Sequence, residues 1–164
     1  MNKKHLIIMI ATIIIMVLLD QVSKLIIINN VTEGELITVI DNFFVIGHAK
    51  NTGISYGGFS DAGPFFFIGV YVAAIAVFAY LAKDINFTSK KLYSFSLTMM
   101  IAGGIGNLID RLFLGEVTDM LVLIIFNREL FGIFNIADIF LVIGMVIFAI
   151  DILIEDVFKW KKNT

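Results

Sequence analysis

Asp119 and Asp138 flank a mixed stretch of the chain, the first closing Val-Thr-Asp at 117–119 and the second closing Phe-Asn-Ile-Ala-Asp at 134–138. Just upstream, Gly-Gly-Ile-Gly-Asn-Leu-Ile-Asp-Arg at 103–111 supplies Asn107, Asp110 and Arg111, and Asn135 precedes Asp138 by one helical turn. Two carboxyl groups brought close together cannot both ionise easily, so they share a proton. The ionised partner can draw a proton from water for attack on a peptide carbonyl, and the protonated one can donate to the developing oxyanion or the leaving amine. Nearby amides and a cation can fix the substrate and offset charge. That chemistry is aspartyl hydrolysis. Residue type alone does not decide which two carboxylates meet.

These polar residues sit in a very apolar chain. Of 164 residues, 59% are hydrophobic and only 16% charged, with mean hydropathy +0.97. Soluble domains are nearer half apolar and a quarter charged, so the excess points to a membrane protein. At membrane depth a polar side chain costs a few kcal/mol or more, and is usually paired, buried in a bundle or functional. The net charge of −2 and the lack of a basic patch argue against a nucleic-acid partner. There is no cysteine, which excludes disulfides, thiolate catalysis and cysteine metal sites. His5 and His48 show no ligand spacing. No metal and no cofactor are expected.

The chain reads as a single integral membrane domain over 1–164, with spans at about 5–28, 64–82, 92–112 and 136–157. The first apolar run after Lys3 and Lys4 resembles a signal peptide, but no small-x-small cleavage site follows, so it reads as an uncleaved span. Residues 29–63 change pattern. Glu35–Ala49 is rich in β-branched and aromatic residues around a turn-like Asp41-Asn42, predicting two short strands, and Asn51-Thr-Gly53 and Gly57-Gly58 mark turns. Pro64 suits the first turn of the second helix. The stretch 113–134 is mixed. The fold class is therefore membrane and mainly α: a four-transmembrane-helix bundle with a small extracytoplasmic β-sheet.

Lys3, Lys4, Lys83, Lys90, Lys91, Lys159, Lys161 and Lys162 lie on one side of these spans, against Lys50 and Arg128 on the other. The positive-inside rule puts both termini in the cytoplasm, with 29–63 and 113–134 outside. Asp20 then lies about 22 Å along the first helix, with Lys24 one turn further out. Asn107, Asp110 and Arg111 end the third helix, and Asn135 and Asp138 begin the fourth. Asn51 and Asp119 join from the outer loops. All converge near the outer interface.

Plainer roles are open for each. Asp20 and Lys24 are an i,i+4 pair in the favourable order. Asn135 suits an N-cap. Asp110 and Arg111 face different ways, and Arg111 shares a face with Asn107. Asp119 alone could be an ordinary loop acid, and Gly103, Gly104 and Gly106 suit close helix packing. Glu33, Glu35, Asp61, Glu116 and Glu129 read as solvated. A small transporter using Asp20, Lys24, Asp110 and Arg111, or a non-catalytic scaffold, would fit some of these features.

Five blocks in order resemble the lipoprotein signal peptidase (signal peptidase II) family of aspartyl membrane proteases. They are Asp20-Gln-Val-Ser-Lys24, Asn51-Thr-Gly53, Gly106-Asn-Leu-Ile-Asp-Arg111, Gly115-Glu-Val-Thr-Asp119 and Phe134-Asn-Ile-Ala-Asp138. The resemblance implies a bacterial cell-membrane endopeptidase that cleaves prolipoproteins before a diacylglyceryl-modified cysteine. It implies Asp119 and Asp138 as the catalytic pair and Asn51, Gly53, Asn107, Arg111 and Asn135 as substrate-binding or supporting residues. Asp20, Lys24 and Asp110 become structural polar residues. The partners would be lipid-modified precursors and membrane lipids, with a monomer expected. Ile54, Ser55, Tyr56, Thr118, Met120 and Ile139 depart from the family's usual residues, which would suit a divergent paralogue of shifted preference or low activity.

Overall fold

In the computed structural model, residues 2–53, 63–126 and 128–163 are described. The chain order is α1 (Lys3–Asn30), β1 (Leu36–Ile40), β2 (Phe44–Asn51), α2 (Gly63–Leu81), α3 (Lys91–Phe113), β3 (Val117–Ile125), β4 (Arg128–Phe134) and α4 (Ile136–Asn163). A 3-10 turn, Ala82–Asp84, follows α2. Among the described residues four helices are long and apolar enough to cross a membrane, and their bounds lie within a few residues of the predicted spans except that α4 runs on to Asn163. The Ile54-Ser55-Tyr56 departures, the Gly57-Gly58 turn and Asp61 fall outside the described residues.

The burial of α1 is the reverse of a soluble helix. Its buried residues are His5, Asp20, Lys24 and Ile27, while Ile14, Ile15, Leu18, Leu19 and Val22 are exposed. Lipid tails are as apolar as leucine, so helices gain nothing by hiding leucine from them; packing and polar contacts decide which face turns inward. Asp20, Lys24 and Ile27 fall on one face at helical spacing, and that face meets α3.

Helix α3 is the hub. Its most apolar window is 61% buried, against 11% for each of the other three. Small residues permit this. A Cβ on Gly103 would overlap the Ala137 carbonyl oxygen of α4, and one on Gly106 would lie 2.7 Å from Asp20 Oδ2 and 3.0 Å from Ala137 Cβ. Buried hydroxyls in the same helix are satisfied by back-bonding: Ser94 Oγ donates to Lys90 O and Thr98 Oγ1 to Ser94 O, each at 2.6 Å. An apolar core of Ala82, Ile85, Leu97, Met100 and Ile101 lies at the opposite end of α3 from Asn107 and Arg111.

The sheet is larger than the sequence suggests. β1 and β2 form the predicted hairpin, with Asn42 in its turn at φ 55°. The mixed stretch 113–134 supplies two further strands, so the sheet has four antiparallel strands in the order β1-β2-β3-β4. The turn from α3 into β3 follows from Gly115, whose φ of +79° suits the left-handed position after a helix; Leu114 N–H donates to Asp110 O at 2.7 Å. His48 ties the sheet to α1 through a 2.8 Å hydrogen bond between Nδ1 and the Val31 carbonyl.

Candidate active site

Sheet register brings the first two site residues together. Asn51 is paired with Val117 and Ala49 with Asp119, so Asn51 and Asp119 are diagonal neighbours on one face. Asn51 Nδ2 donates to Asp119 Oδ2 at 2.8 Å, and Asn51 Oδ1 accepts from Gly53 N–H at 2.9 Å. The last residue of β4, Phe134, pairs with Leu121, which delivers Asn135 beside Asp119 as α4 begins.

Asn135 and Asp138 cap α4 reciprocally. Asp138 N–H donates to Asn135 Oδ1 at 2.9 Å, and Asn135 N–H donates to Asp138 Oδ2 at 3.1 Å. This is the capping-box arrangement, with the acid three residues beyond the cap. The amide of Asn135 does more than cap. Its Nδ2 donates to Asp119 Oδ1 at 2.7 Å and to Asn107 Oδ1 at 3.1 Å. One residue therefore holds both carboxylates, one through its side chain and the other through its backbone.

Asn107, from α3, completes the frame. Its Nδ2 donates to Asp138 Oδ1 at 2.7 Å, and its Oδ1 accepts from Lys24 Nζ at 3.2 Å. Lys24 is 2% exposed and sits between two acids, 2.8 Å from Asp20 Oδ2 and 3.0 Å from Asp110 Oδ2. Asp20 Oδ1 accepts from Ala137 N–H at 2.9 Å, and Asp110 Oδ2 accepts from Thr118 N–H at 3.0 Å. The cluster thus joins α1, α3, the start of α4 and the start of β3. Gln21, which the sequence did not single out, spans it by donating to Asp110 Oδ1 at 2.9 Å and to the Gly106 carbonyl at 3.1 Å.

Arg111 turns away from this cluster, as its position beside Asp110 requires. Its Nη2 donates to the Gly53 carbonyl at 2.6 Å, and its guanidinium carbon lies 4.5 Å from the Phe67 ring centroid, a cation–π contact. Arg111 is 2% exposed, and its Nε and Nη1 have no hydrogen-bond partner among the described residues. Buried donors of that kind are suited to a ligand oxygen. Tyr71 of α2 is a second residue missed by sequence reasoning. Its phenol lies in the neighbourhood of Asn107 and in the fields of Asp138, Arg111 and Asp119.

The two acids differ in environment. Asp119 is 1% exposed, and burial, followed by the charge on Asp138, pushes its carboxyl up to about 7. Asp138 is partly exposed and stands in the first turn of α4, where the helix dipole favours an anion. A cavity of about 290 Å³, lined by Lys50, Asn51, Gly53, Gly132 and Ile133 among others, opens beside Asp119. At its rim Lys50 pairs with Glu33 at 3.1 Å and Glu116 at 3.3 Å, an exposed triad of small energetic weight.

All nine polar side chains expected at this level are present in one network or its edge. Asn51, Asn107, Asp119, Asn135 and Asp138 form the linked centre; Asp20, Lys24 and Asp110 form the ion cluster behind it; Arg111 and Gly53 form the side wall. Among the departures, Met120 packs in the small cluster with Ile27 and Val31, and Thr118 is buried with its N–H on Asp110. Neither displaces a carboxylate.

Residues 12–154 match the family model described as signal peptidase (SPase) II. A lipoprotein signal peptidase of Clostridium tetani is 36% identical over 150 residues, covering 92% of this chain and 95% of its own length. One of Bacillus pumilus is 35% identical over 150 residues, with 92% and 94% covered. Among solved structures, a bacterial membrane enzyme determined by the in meso method at 2.3 Å superposes with a TM-score of 0.80 at 32% identity, over 90% of this chain and 88% of that one. A second, at 1.9 Å, gives a TM-score of 0.77 at 32% identity over 88% and 92%.

Proposed function

The chain belongs to the signal peptidase II family, and on that footing we propose that it removes the signal peptide from prolipoproteins with Asp119 and Asp138 as the reacting pair. The observation that carries the assignment is Asn135, whose side-chain and backbone donors hold one carboxylate each. The transporter and scaffold readings draw no support from the family match.

The asymmetry of the pair suggests the roles. Asp138 is the base: its carboxylate, held by Asn107 Nδ2 and Asn135 N–H, takes a proton from water as the oxygen attacks the scissile carbonyl. Asp119, which keeps its proton up to about pH 7, donates it to the developing oxyanion. On collapse of the tetrahedral intermediate, the proton now on Asp138 passes to the leaving amine and Asp119 recovers its own. Nε and Nη1 of Arg111, without a partner among the described residues, are suited to a carbonyl oxygen of the bound precursor.

The substrate explains the placement. A precursor bearing a diacylglyceryl cysteine keeps its acyl chains in the bilayer, so cleavage just before that cysteine needs a water-accessible pair at the membrane edge. With both termini cytoplasmic, the cavity beside Asp119 would lie at the outer face of the cell membrane. Purified protein should process a lipid-modified precursor, and Asp119→Asn and Asp138→Asn should each remove cleavage while the protein still inserts and folds. Retained cleavage in either variant would end the assignment.

A further inference from the structure

We propose that Lys24 of α1 is a positioning residue, which sets the separation of Asp119 and Asp138 through the two carboxylates it joins. The inference rests on the reading of Asp119 and Asp138 as the reacting pair. Lys24 Nζ lies 2.8 Å from Asp20 Oδ2 and 3.0 Å from Asp110 Oδ2. Each of these acids also accepts a main-chain N–H. Asp20 Oδ1 takes that of Ala137 at 2.9 Å, and Asp110 Oδ2 takes that of Thr118 at 3.0 Å. Ala137 immediately precedes Asp138, and Thr118 immediately precedes Asp119. Planar peptides keep neighbouring Cα atoms about 3.8 Å apart, so each acid of the pair starts one residue from a fixed point, and both fixed points lead back to one ammonium. A third path is shorter: Nζ donates to Asn107 Oδ1 at 3.2 Å, and Asn107 Nδ2 donates to Asp138 Oδ1 at 2.7 Å.

Neutralising the lysine does not account for this arrangement. One carboxylate would do that, and the second leaves a negative charge uncompensated among buried groups, where ionised side chains are costly. What the second acid adds is a hold on β3. The hold on α4 is equally specific. Ala137 N–H is one of the donors that a helix start leaves without an internal partner. Asn135 caps the next one, that of Asp138, at 2.9 Å, and Asp20 supplies from α1 what that cap does not reach. Helix α3 makes room for it: a Cβ on Gly106 would stand 2.7 Å from Asp20 Oδ2, so the glycine lets the carboxylate pass between α3 and α4. Gln21 braces the two acids against each other, its Nε2 donating to Asp20 Oδ2 at 3.1 Å and to Asp110 Oδ1 at 2.9 Å. Asn135 thus joins the reacting pair directly, and Lys24 joins them from behind.

The test uses the full-length purified protein and a lipid-modified precursor, with rates read where each variant is folded. Lys24→Met should lower kcat and the thermal midpoint together, because it strands two buried carboxylates. Adding Asp110→Asn removes one of them, returns the cluster to its wild-type net charge, and keeps an oxygen for Thr118 N–H. The midpoint should then recover in part while kcat stays about 10–100-fold below wild type, as for a misplacement of order 1 Å, with KM within about three-fold. A lysine that only stabilised the fold would give a kcat that recovers with the midpoint. Asp20→Asn is a second variant. It leaves Lys24 paired with Asp110, but its carboxamide accepts on one side only, so either the lysine or Ala137 N–H is released and kcat should fall about 3–10-fold, the loss of one hydrogen bond. A double variant within about three-fold of wild-type kcat, or changed in KM alone, would overturn the proposal. If the double variant does not fold, wild-type kcat in Asp20→Asn overturns it. Asp138→Asn run in parallel separates the two readings. If it stays active, the pair assignment fails; if it is inactive while the cluster variants turn over at the wild-type rate, only the role of Lys24 fails.

Discussion

Replacing Asp119 with asparagine should remove activity and at the same time stabilise the protein above neutral pH. Asp119 is buried, and its carboxyl is pushed from the ordinary 3.8 to about 7, first by burial and then by the charge on Asp138. A group whose folded pKa is raised holds its proton more tightly folded than unfolded. Its contribution to stability is complete below about pH 4 and is lost as pH rises to about 7. At about 1.4 kcal/mol per unit, the full loss is of order 4 kcal/mol, of which some 3 kcal/mol falls between about pH 5 and pH 8. Asparagine stays neutral and escapes it. The substitution has its own cost: Asn51 Nδ2 and Asn135 Nδ2 donate to opposite oxygens of Asp119, and a carboxamide can accept only one of them. Losing the other costs about 1–3 kcal/mol. The expected pattern is a variant equal to or less stable than wild type at about pH 5 and more stable by about 1–3 kcal/mol at about pH 8. Unfolding of both proteins in the same detergent at the two pH values measures it, and cleavage by the wild type should fade over the same upper interval. A stability gap that does not change between the two pH values would refute the reasoning.

Lys24→Met leaves the carboxylates of Asp20 and Asp110 buried without their shared cation, and should destabilise by about 3–5 kcal/mol, partly recovered by adding Asp110→Asn; a loss under about 1 kcal/mol in denaturant unfolding would contradict it. Orientation is testable because the chain has no cysteine of its own. Single cysteines at the exposed positions Asp41 and Ser89 should behave oppositely towards a membrane-impermeant maleimide applied to intact cells, Asp41→Cys reacting and Ser89→Cys staying protected. The reverse pattern would invert the proposed topology.

The two halves of the sheet show what a sequence exposes and what it hides. β1 and β2 were legible because a turn dipeptide, Asp41-Asn42, breaks a stretch rich in β-branched residues. β3 was not. Val117–Ile125 reads VTDMLVLII, and six of its last seven residues are Met, Leu, Val or Ile, without the alternation of a half-buried strand. Its apolar run is equally suited to a helix segment. The turn that follows carries Phe126 at φ 53° in place of glycine, so in the sequence a single Asn127 is all that separates it from β4. Only pairing with β2 on one side and β4 on the other makes it a strand, and that pairing is what sets Asp119 diagonal to Asn51. The helical residues of the site were easier for a physical reason. A carboxylate or ammonium in a lipid-spanning segment is so costly that its presence alone asks for a partner, and Asp20, Lys24 and Asp110 supply one another's. Tyr71 carries no such penalty. Tyrosine is ordinary in membrane helices, and the only trace of its position is the four-residue spacing from Phe67, which acquires meaning once Arg111 and Asn107 are seen to match it on α3. Charge in lipid is therefore visible one residue at a time, whereas a neutral tyrosine becomes visible only against the residues of the helix it faces.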